Sequence, residues 1–310
     1  MKPKKVAVLD ISNLEGETFK NFITDHPLSG IDFFYFQDKE ITFTRSSEGA
    51  SLILEENLEA LQDFPLVIDF KKERKDFYEI EGSTIFVNLQ GKGTLIFYGL
   101  NHQKLKEEPH LKTPHPFNCL FFRFLEYFKT SPPEMVFCNA VLSTSEEGRE
   151  GQDELYNQTV ALLNLSSYKK KIYKGQIAFN ISMIDNPNFQ RRIEEEISFF
   201  FENSFPFQIQ IARSGTFFGT VIFLNIIFSK PEDRENYKEW LSKKEDFIFN
   251  LKSEGIVEAV QEGKVFVKFK EEEEKRVLGL QIYGDPLYSG MAYNLSNLTE
   301  EFFKGFFVLK

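Results

Sequence analysis

Residues 5–16 read KVAVLDISNLEG, an apolar run followed by a polar turn and the start of an amphipathic pattern. The run at 5–9 predicts a buried strand, and Ser12 and Asn13 are typical of a turn that caps a helix. Apolar residues at helical spacing continue to about residue 25, and a second strand-like run covers 31–36. Strand, helix and strand at this spacing predict a βαβ unit with parallel strands.

More strand-like runs follow in the first third of the chain, and they predict a doubly wound, parallel sheet. These runs lie at 41–44, 51–54, 66–69, 84–87 and 95–98, with a short helix at 57–62 among them.

Beyond a helix at 117–128 the strands become longer and alternate more clearly between apolar and polar residues. We predict strands at 134–142, 176–183, 207–213, 216–228, 256–260, 264–270 and 276–283, and helices at 152–165, 190–203 and 231–251. This order predicts an α+β domain with a mixed or antiparallel sheet. A terminal helix at about 290–303 and a closing segment at 306–309 complete the prediction.

Composition limits the classes of partner. The chain has 310 residues, enough for two domains, and its net charge of −10 argues against a general surface for nucleic acid or anionic membranes. Two cysteines, Cys119 and Cys138, suit a reducing cytoplasm, and we expect neither a signal peptide nor a membrane anchor. The 36 phenylalanines predict crowded aromatic cores or a large aromatic interface, and we favour cores.

The stretch 113–119, TPHPFNC, leads straight into a helix. Unpaired N–H groups and the helix dipole favour an anionic nucleophile at such a start. The best-placed position is Pro116, which has no reactive group. Cys119 lies about one turn further on, with His115 one turn before it, so a displaced nucleophile with its base is one interpretation. Because an apolar run follows Cys119, an inert core thiol is the interpretation we favour.

Four segments occur in a distinctive order. They are VAVLDISNLEG at 6–16, TPHP at 113–116, EGREGQDEL at 147–155 with QIAFN at 176–180, and residues 213–220 with GMAYN at 290–294. The pattern GxxGxxEL before a helix, with IAFN about 25 residues later, is the most specific of them. Together these segments resemble aspartate-semialdehyde dehydrogenase and its relatives over essentially the whole chain.

The resemblance implies an N-terminal Rossmann domain, here residues 1–116, that binds NADP in the family. It also implies a second domain at 117–289 that carries much of a dimer interface, and a C-terminal helix at 290–310 that returns to the first domain. In that family a cysteine at a helix start attacks the aldehyde, a histidine acts as acid and base, and arginines bind the substrate carboxylate and phosphate.

Carried over to this chain, the cofactor-binding turn is degenerate. The first two glycines of the family's turn align with Asp10 and Asn13, and Gly16 alone remains. A carboxylate there would repel phosphate, and the new Cβ atoms would fill the surface on which a pyrophosphate lies. We therefore interpret Gly16, Ser12 and Asn294 as remnants of an ancestral NADP site, and we expect no cofactor.

The catalytic positions are altered as well. Pro116 aligns with the nucleophile and Thr220 with the acid/base histidine, so we expect no catalytic residue. Arg213 survives as a remnant of the substrate-binding site, and the phosphate-binding arginine falls near Lys75 or Arg74. In enzymes with a covalent nucleophile, loss of the nucleophile or its base costs on the order of 10⁶ in turnover.

These residues predict a pseudoenzyme with a structural or regulatory role, present in the cytoplasm as a homodimer or as a heterodimer with a related subunit. We expect no nucleic acid or membrane partner. We expect no metal either, since His26, His102 and His110 lie apart from any paired carboxylates or cysteines. Two alternatives stay open. One is an enzyme or small-molecule sensor with a re-purposed pocket, and the other is a working NAD(P)-dependent semialdehyde dehydrogenase-like oxidoreductase.

Overall fold

Two units make up the chain in a computed structural model. Unit 1 comprises Met1–His115 and Met291–Lys310, and unit 2 comprises Pro116–Gly290. The residues that the structure describes are 4–37, 43–46, 49–55, 61–71, 85–88, 93–184, 186–249, 255–270 and 273–305.

Unit 1 begins with strand β1 (Lys5–Leu9), helix α1 (Leu14–Asp25) and strand β2 (Asp32–Gln37). The two strands are parallel, with Lys5 opposite Asp32 and Leu9 opposite Phe36. The predicted βαβ unit is therefore confirmed.

The other strands of unit 1 are β3 (Phe43–Ser46), β4 (Gly49–Glu55), β5 (Leu66–Asp69), β6 (Ile85–Asn88), β7 (Thr94–Leu95) and β8 (His110–Lys112). They form one sheet in the order β3-β4-β2-β1-β5-β6-β8-β7. Neighbouring strands are parallel except β3 and β4, which are antiparallel. The sheet extends to both sides of β1, which confirms the predicted doubly wound sheet of Rossmann type. The turn after β1 lies where the strand order reverses.

The core of unit 1 forms around β1, because its residues from Val6 to Leu9 are fully buried. Helix α1 covers the sheet with an apolar stripe that includes Phe19 and Phe22. The ring of Phe19 lies 5.7 Å from that of Phe70 and 6.1 Å from that of Phe33. The turn that links β1 to α1 is thus held between two packed elements.

Unit 2 contains a seven-stranded sheet in the order β10-β11-β9-β12-β15-β14-β13. Its elements are α2 (Pro116–Leu125), β9 (Met135–Leu142), α3 (Gly148–Leu163), β10 (Ile181–Met183), α4 (Pro187–Phe201), β11 (Phe207–Ser214), β12 (Thr220–Ile227), α5 (Pro231–Ser242), β13 (Phe247–Phe249), α6 (Ile256–Glu262), β14 (Val265–Lys270) and β15 (Val277–Gly284). The pairs β9–β11 and β13–β14 are parallel, and the other pairs are antiparallel. This confirms the predicted mixed sheet. After a π-helical turn at Pro286–Ala292, helix α7 (Tyr293–Gly305) belongs to unit 1.

Helix α2 is the centre of an aromatic core, with every residue from Phe117 to Leu125 buried. Its rings meet those of three other elements of unit 2: Phe121 lies 5.8 Å from Phe207, Phe122 lies 5.0 Å from Phe200, and Phe124 lies 4.9 Å from Phe247. Many of the phenylalanines of unit 2 therefore pack in its core.

Two predicted elements of unit 2 are wrong. Residues 256–260, predicted as a strand, lie in helix α6, because the N–H of Gly255 donates to Glu258 Oε2 at 2.9 Å and Gly263 ends the helix at φ 63°. The helix predicted at 231–251 ends at Ser242. Residues 247–249 instead pair with β14 as β13, which buries Phe247.

Two predicted strands are shorter than expected. The strand at 176–183 is regular only over β10, since Asn180 N–H donates to the carbonyl of Ile177 in a turn where Phe179 adopts φ 58°. The strand at 95–98 ends at Leu95. The predicted helix at 57–62 lies mostly outside the described residues, and the segment 306–309 and Lys75 lie wholly outside them. Among the described helices, none has the length and apolar character of a membrane span.

Candidate functional site

The side chains of the turn after β1 form hydrogen bonds with one another. Asp10 adopts a left-handed φ of 57°, a conformation that glycine takes most readily. Its Oδ1 accepts from Ser12 Oγ at 2.5 Å, and its Oδ2 accepts from Asn13 Nδ2 at 3.2 Å. Both oxygens of the carboxylate are therefore bonded within the turn.

Asn13 and Gly16 complete this turn. Gly16 N–H donates to Asn13 Oδ1 at 2.8 Å, which makes Asn13 the N-cap of α1, and Asn13 Nδ2 also donates to the carbonyl of Phe70 at 2.9 Å. A Cβ atom on Gly16 would lie 2.5 Å from the carbonyl oxygen of Asp10. The contact between α1 and the turn thus accounts for Gly16 without a ligand.

Asn294 also has a structural role in unit 1. It is fully buried on α7, where its Oδ1 accepts from the N–H of Tyr98 at 2.9 Å and its Nδ2 donates to Thr113 Oγ1 at 3.5 Å. These bonds connect the C-terminal helix α7 to Tyr98 and Thr113, which lie on either side of a short 3₁₀ helix at His102–Lys106. Asn294 and the turn residues Ser12 and Gly16 therefore all have partners or packing contacts within unit 1.

The predicted nucleophile position begins α2. Pro116 is the first residue of that helix, and Cys119 is fully buried within it. Cys138 on β9 is buried too, and burial raises the pKa of its thiol well above the usual range. His115, the last residue of the first stretch of unit 1, is also buried.

The structure brings Arg213 and Thr220 to one end of the sheet of unit 2. Both are cross-strand partners of Leu142, Arg213 on β11 and Thr220 on β12. Thr220 is fully buried, and its Oγ1 has no hydrogen-bond partner among the residues that the structure describes. The predicted acid/base position and the predicted substrate-binding arginine therefore lie at the same end of this sheet.

Arg213 is paired with a carboxylate of the same unit. Its Nη2 contacts Glu147 Oε1, and the hydroxyl of Tyr173 donates to Glu147 Oε2 at 3.0 Å. The guanidinium carbon lies 5.2 Å from the centre of the Tyr173 ring. Burial lowers the pKa of Arg213, and the charge of Glu146 opposes that shift. Glu147 and Tyr173 were missed as site residues, because no local pattern indicates which carboxylate a given arginine meets.

The GxxGxxEL pattern has its own structural explanation. Glu154 is buried on α3 and accepts from the N–H groups of Lys171 and Ile172 at 2.8 and 2.5 Å. Gln158, one turn later, accepts from the N–H of Ile177 at 2.8 Å. A Cβ atom on Gly151 would lie 2.6 Å from the hydroxyl oxygen of Tyr173. These residues hold the segment 171–178 against α3.

The described residues contain no group of three or more histidine, cysteine, aspartate or glutamate side chains that could hold a metal ion. The predicted phosphate-site remnant, Lys75, lies outside the described residues.

No family model matches the chain. Curated relatives do: the aspartate-semialdehyde dehydrogenase of Rickettsia bellii is 26% identical over 205 residues, which cover 60% of this chain and 61% of that protein. That of Rickettsia conorii is also 26% identical, over 202 residues that cover 59% of this chain and 60% of that protein. The alignments thus span less than two thirds of each relative.

Solved structures share the fold over nearly the whole chain. A probable aspartate-semialdehyde dehydrogenase from Pseudomonas aeruginosa superposes with a TM-score of 0.83 at 18% identity, covering 98% of this chain and 99% of that one. Aspartate semialdehyde dehydrogenase II from Vibrio cholerae, in complex with ASA, gives 0.83 at 17% identity with the same coverage. The predicted resemblance is confirmed, and the chain is aspartate-semialdehyde dehydrogenase-like in both sequence and fold.

Proposed function

We propose that this chain is a catalytically inactive aspartate-semialdehyde dehydrogenase-like protein that acts as a dimer in a structural or regulatory role. The observation that carries the proposal is the carboxylate of Asp10, which bonds to Ser12 and Asn13 in the turn after β1. In a Rossmann domain the dinucleotide phosphates approach this turn. Here a fixed negative charge lies at that place, and Ser12 Oγ, Asn13 Nδ2 and the N–H of Gly16 already have acceptors.

The residues at the reacting positions support the same proposal. By resemblance, the nucleophile position is Pro116 and the acid/base position is Thr220. Proline has no nucleophilic group, and a threonine hydroxyl is no substitute for an imidazole that exchanges protons near neutral pH. Loss of the nucleophile alone is expected to reduce turnover by several orders of magnitude.

Dimerisation is supported by exposed apolar side chains on two elements of unit 2. Tyr156, Val160 and Leu163 recur at helical spacing on one side of α3 and are 60%, 39% and 72% exposed. Ile181 and Met183 share one face of the edge strand β10 and are 66% and 81% exposed. Apolar side chains grouped in this way are typical of a surface that a protein partner covers. The proposed partner that covers these side chains is a second copy of this chain or a related subunit.

Catalysis is tested by titrating NADP into the protein in a calorimeter and by assaying aspartate semialdehyde oxidation through NADPH absorbance. We expect no binding heat up to millimolar NADP and no turnover, with an active aspartate-semialdehyde dehydrogenase as the positive control. Micromolar NADP binding together with turnover would show that the protein is a working dehydrogenase.

Dimerisation is tested by sedimentation velocity on the wild type and on Leu163→Glu. A charge in the apolar stripe should dissociate the dimer, whereas Asn157→Glu, which adds the same charge on α3 outside the stripe, should leave it intact. A wild-type chain that sediments as a monomer and retains no related subunit in native pull-downs contradicts this part of the proposal.

A further inference from the structure

A pocket of about 290 Å³ lies in unit 2, where the chain passes from the end of α4 to the start of β11. Its volume is close to the lower limit for sites that hold a small molecule. Three phenylalanines, Phe201, Phe205 and Phe207, contribute to its lining, and Glu194 and Ser198 add a carboxylate and a hydroxyl group. Glu194 and Ser198 are exposed, so the pocket is open to solvent on the side of α4.

The apolar part of the pocket is fixed by packing. Phe201 and Phe205 are 3% and 6% exposed, and their ring centres lie 5.5 Å apart. The turn between them is held by the N–H of Ser204, which donates to the carbonyl of Phe201 at 2.8 Å. An aromatic ring attracts a cation that lies over its face, so phenylalanine walls suit the apolar group of an organic cation and also its charge.

Glu194 differs from the two glutamates that follow it on α4. Glu195 and Glu196 each pair with the arginine four positions earlier, at 2.7 and 3.0 Å. The same spacing gives Glu194 a neutral partner, since Gln190 Nε2 donates to its Oε1 at 2.9 Å. Within the part of the chain that the structure describes, Glu194 makes no ion pair. The carboxylate at the pocket is therefore the one of the three that lacks a cation.

We propose that this pocket binds a small organic ammonium ion, with its apolar group against the phenylalanines and its charge at Glu194. The ammonium group donates a charge-assisted hydrogen bond to the Glu194 carboxylate. The pocket is separate from the substrate-binding position inferred by resemblance, because Phe207 and Arg213 lie near opposite ends of β11, about 20 Å apart at the rise of a strand. The inference does not depend on loss of dehydrogenase activity, since its test involves no cofactor and no turnover.

The probe is benzylamine, whose ammonium ion carries a phenyl ring, titrated at low ionic strength and followed by ligand-observed NMR. We expect saturable binding to the wild type with a Kd on the order of 1 mM. Benzyl alcohol has the same ring without the charge and should bind at least about threefold more weakly. Glu194→Gln should weaken benzylamine binding by about threefold to tenfold and leave the binding of benzyl alcohol unchanged.

Gln190→Arg gives a second test. An arginine four positions before Glu194 supplies the cation that the wild type lacks there, so it competes with the ligand and should weaken benzylamine binding as Glu194→Gln does. Glu195→Gln is the matched control, because it removes a neighbouring carboxylate that already has a partner and should leave the Kd unchanged. All three positions are exposed, so we expect the variants to fold, and circular dichroism checks this.

Four results would each overturn the proposal. They are the absence of saturable benzylamine binding to the wild type, equal affinity for benzyl alcohol, unchanged affinity in folded Glu194→Gln or Gln190→Arg, and an equal loss of affinity in Glu195→Gln.

Discussion

Gln158 Nε2 donates a hydrogen bond to Glu154 Oε1 at 2.9 Å, across one turn of α3, and both side chains are buried. Glu154 also accepts from three consecutive N–H groups, those of Lys171, Ile172 and Tyr173. A single carboxylate therefore satisfies a stretch of backbone that forms neither helix nor strand.

Replacement of Glu154 should destabilise unit 2. Glu154→Ala leaves three N–H groups without their acceptor and removes one of the two bonds of the Gln158 amide, so we expect a loss of about 2–4 kcal/mol in unfolding free energy. Urea denaturation followed by circular dichroism measures this loss. Asp153→Ala, an exposed acid on the same helix, should change stability by less than about 0.5 kcal/mol. Equal effects of the two variants would contradict an anchoring role for Glu154.

Gly16 should not tolerate a side chain. A methyl group at this position would overlap the backbone of Asp10 and Ile11, at 2.5 and 2.8 Å. We expect Gly16→Ala to cost about 1–3 kcal/mol, even though alanine favours a helix by about 1 kcal/mol relative to glycine. Hydrogen exchange of the β1 amides would localise the loss to unit 1. Gly175→Ala, where the new methyl meets no atom within 4 Å, is the control and should leave exchange unchanged.

The two cysteines should behave as core thiols. Cys119 is fully buried and Cys138 is 1% exposed. Iodoacetamide reaches a buried thiol only when the core opens, so it should label both cysteines on the order of 10² times more slowly than a free thiol. Labelling should become rapid once denaturant is added. Peptide mapping by mass spectrometry separates the two sites. Fast labelling of Cys119 in the folded protein would instead favour the displaced nucleophile.

Asp285 should make stability depend on pH. Burial raises the pKa of Asp285 to about 6, against the opposing hydrogen bonds from the N–H groups of Leu287 and Tyr288. The folded state therefore binds this proton more tightly than the unfolded chain does. The stabilising contribution is complete below about pH 4 and is lost as the pH rises through about 6.

Asp285→Asn keeps an oxygen for the N–H of Leu287 but cannot titrate. The unfolding free energy of the variant relative to wild type should increase by on the order of 2–3 kcal/mol between pH 4 and pH 7. Denaturation curves at a series of pH values measure the difference. Asp153→Asn, at an exposed position, should show no such increase, and a flat difference for Asp285→Asn would contradict the buried carboxyl group.

Local pattern predicted most of the fold. The βαβ unit was predicted from the strand-like run at 5–9, the helical spacing after it and the strand-like run at 31–36. β1 and β2 show the parallel pairing that this unit implies. Local pattern gave a wrong prediction where a short segment can form either a strand or a helix. Residues 256–260 are rich in residues that favour strands, but the capping bond from Gly255 and the turn at Gly263 make them a helix.

The sequence by itself determined the order of most elements and the degenerate turn at Asp10, because periodicity and turn chemistry act between near neighbours. Only the tertiary structure decided that Glu147 meets Arg213, since the two residues are 66 positions apart in the chain. Their contact depends on β9 and β11 pairing in register, which brings the turn after Leu142 beside the end of β11. The charge of Arg213 does not select one glutamate among the many in the chain. The register of the sheet selects Glu147.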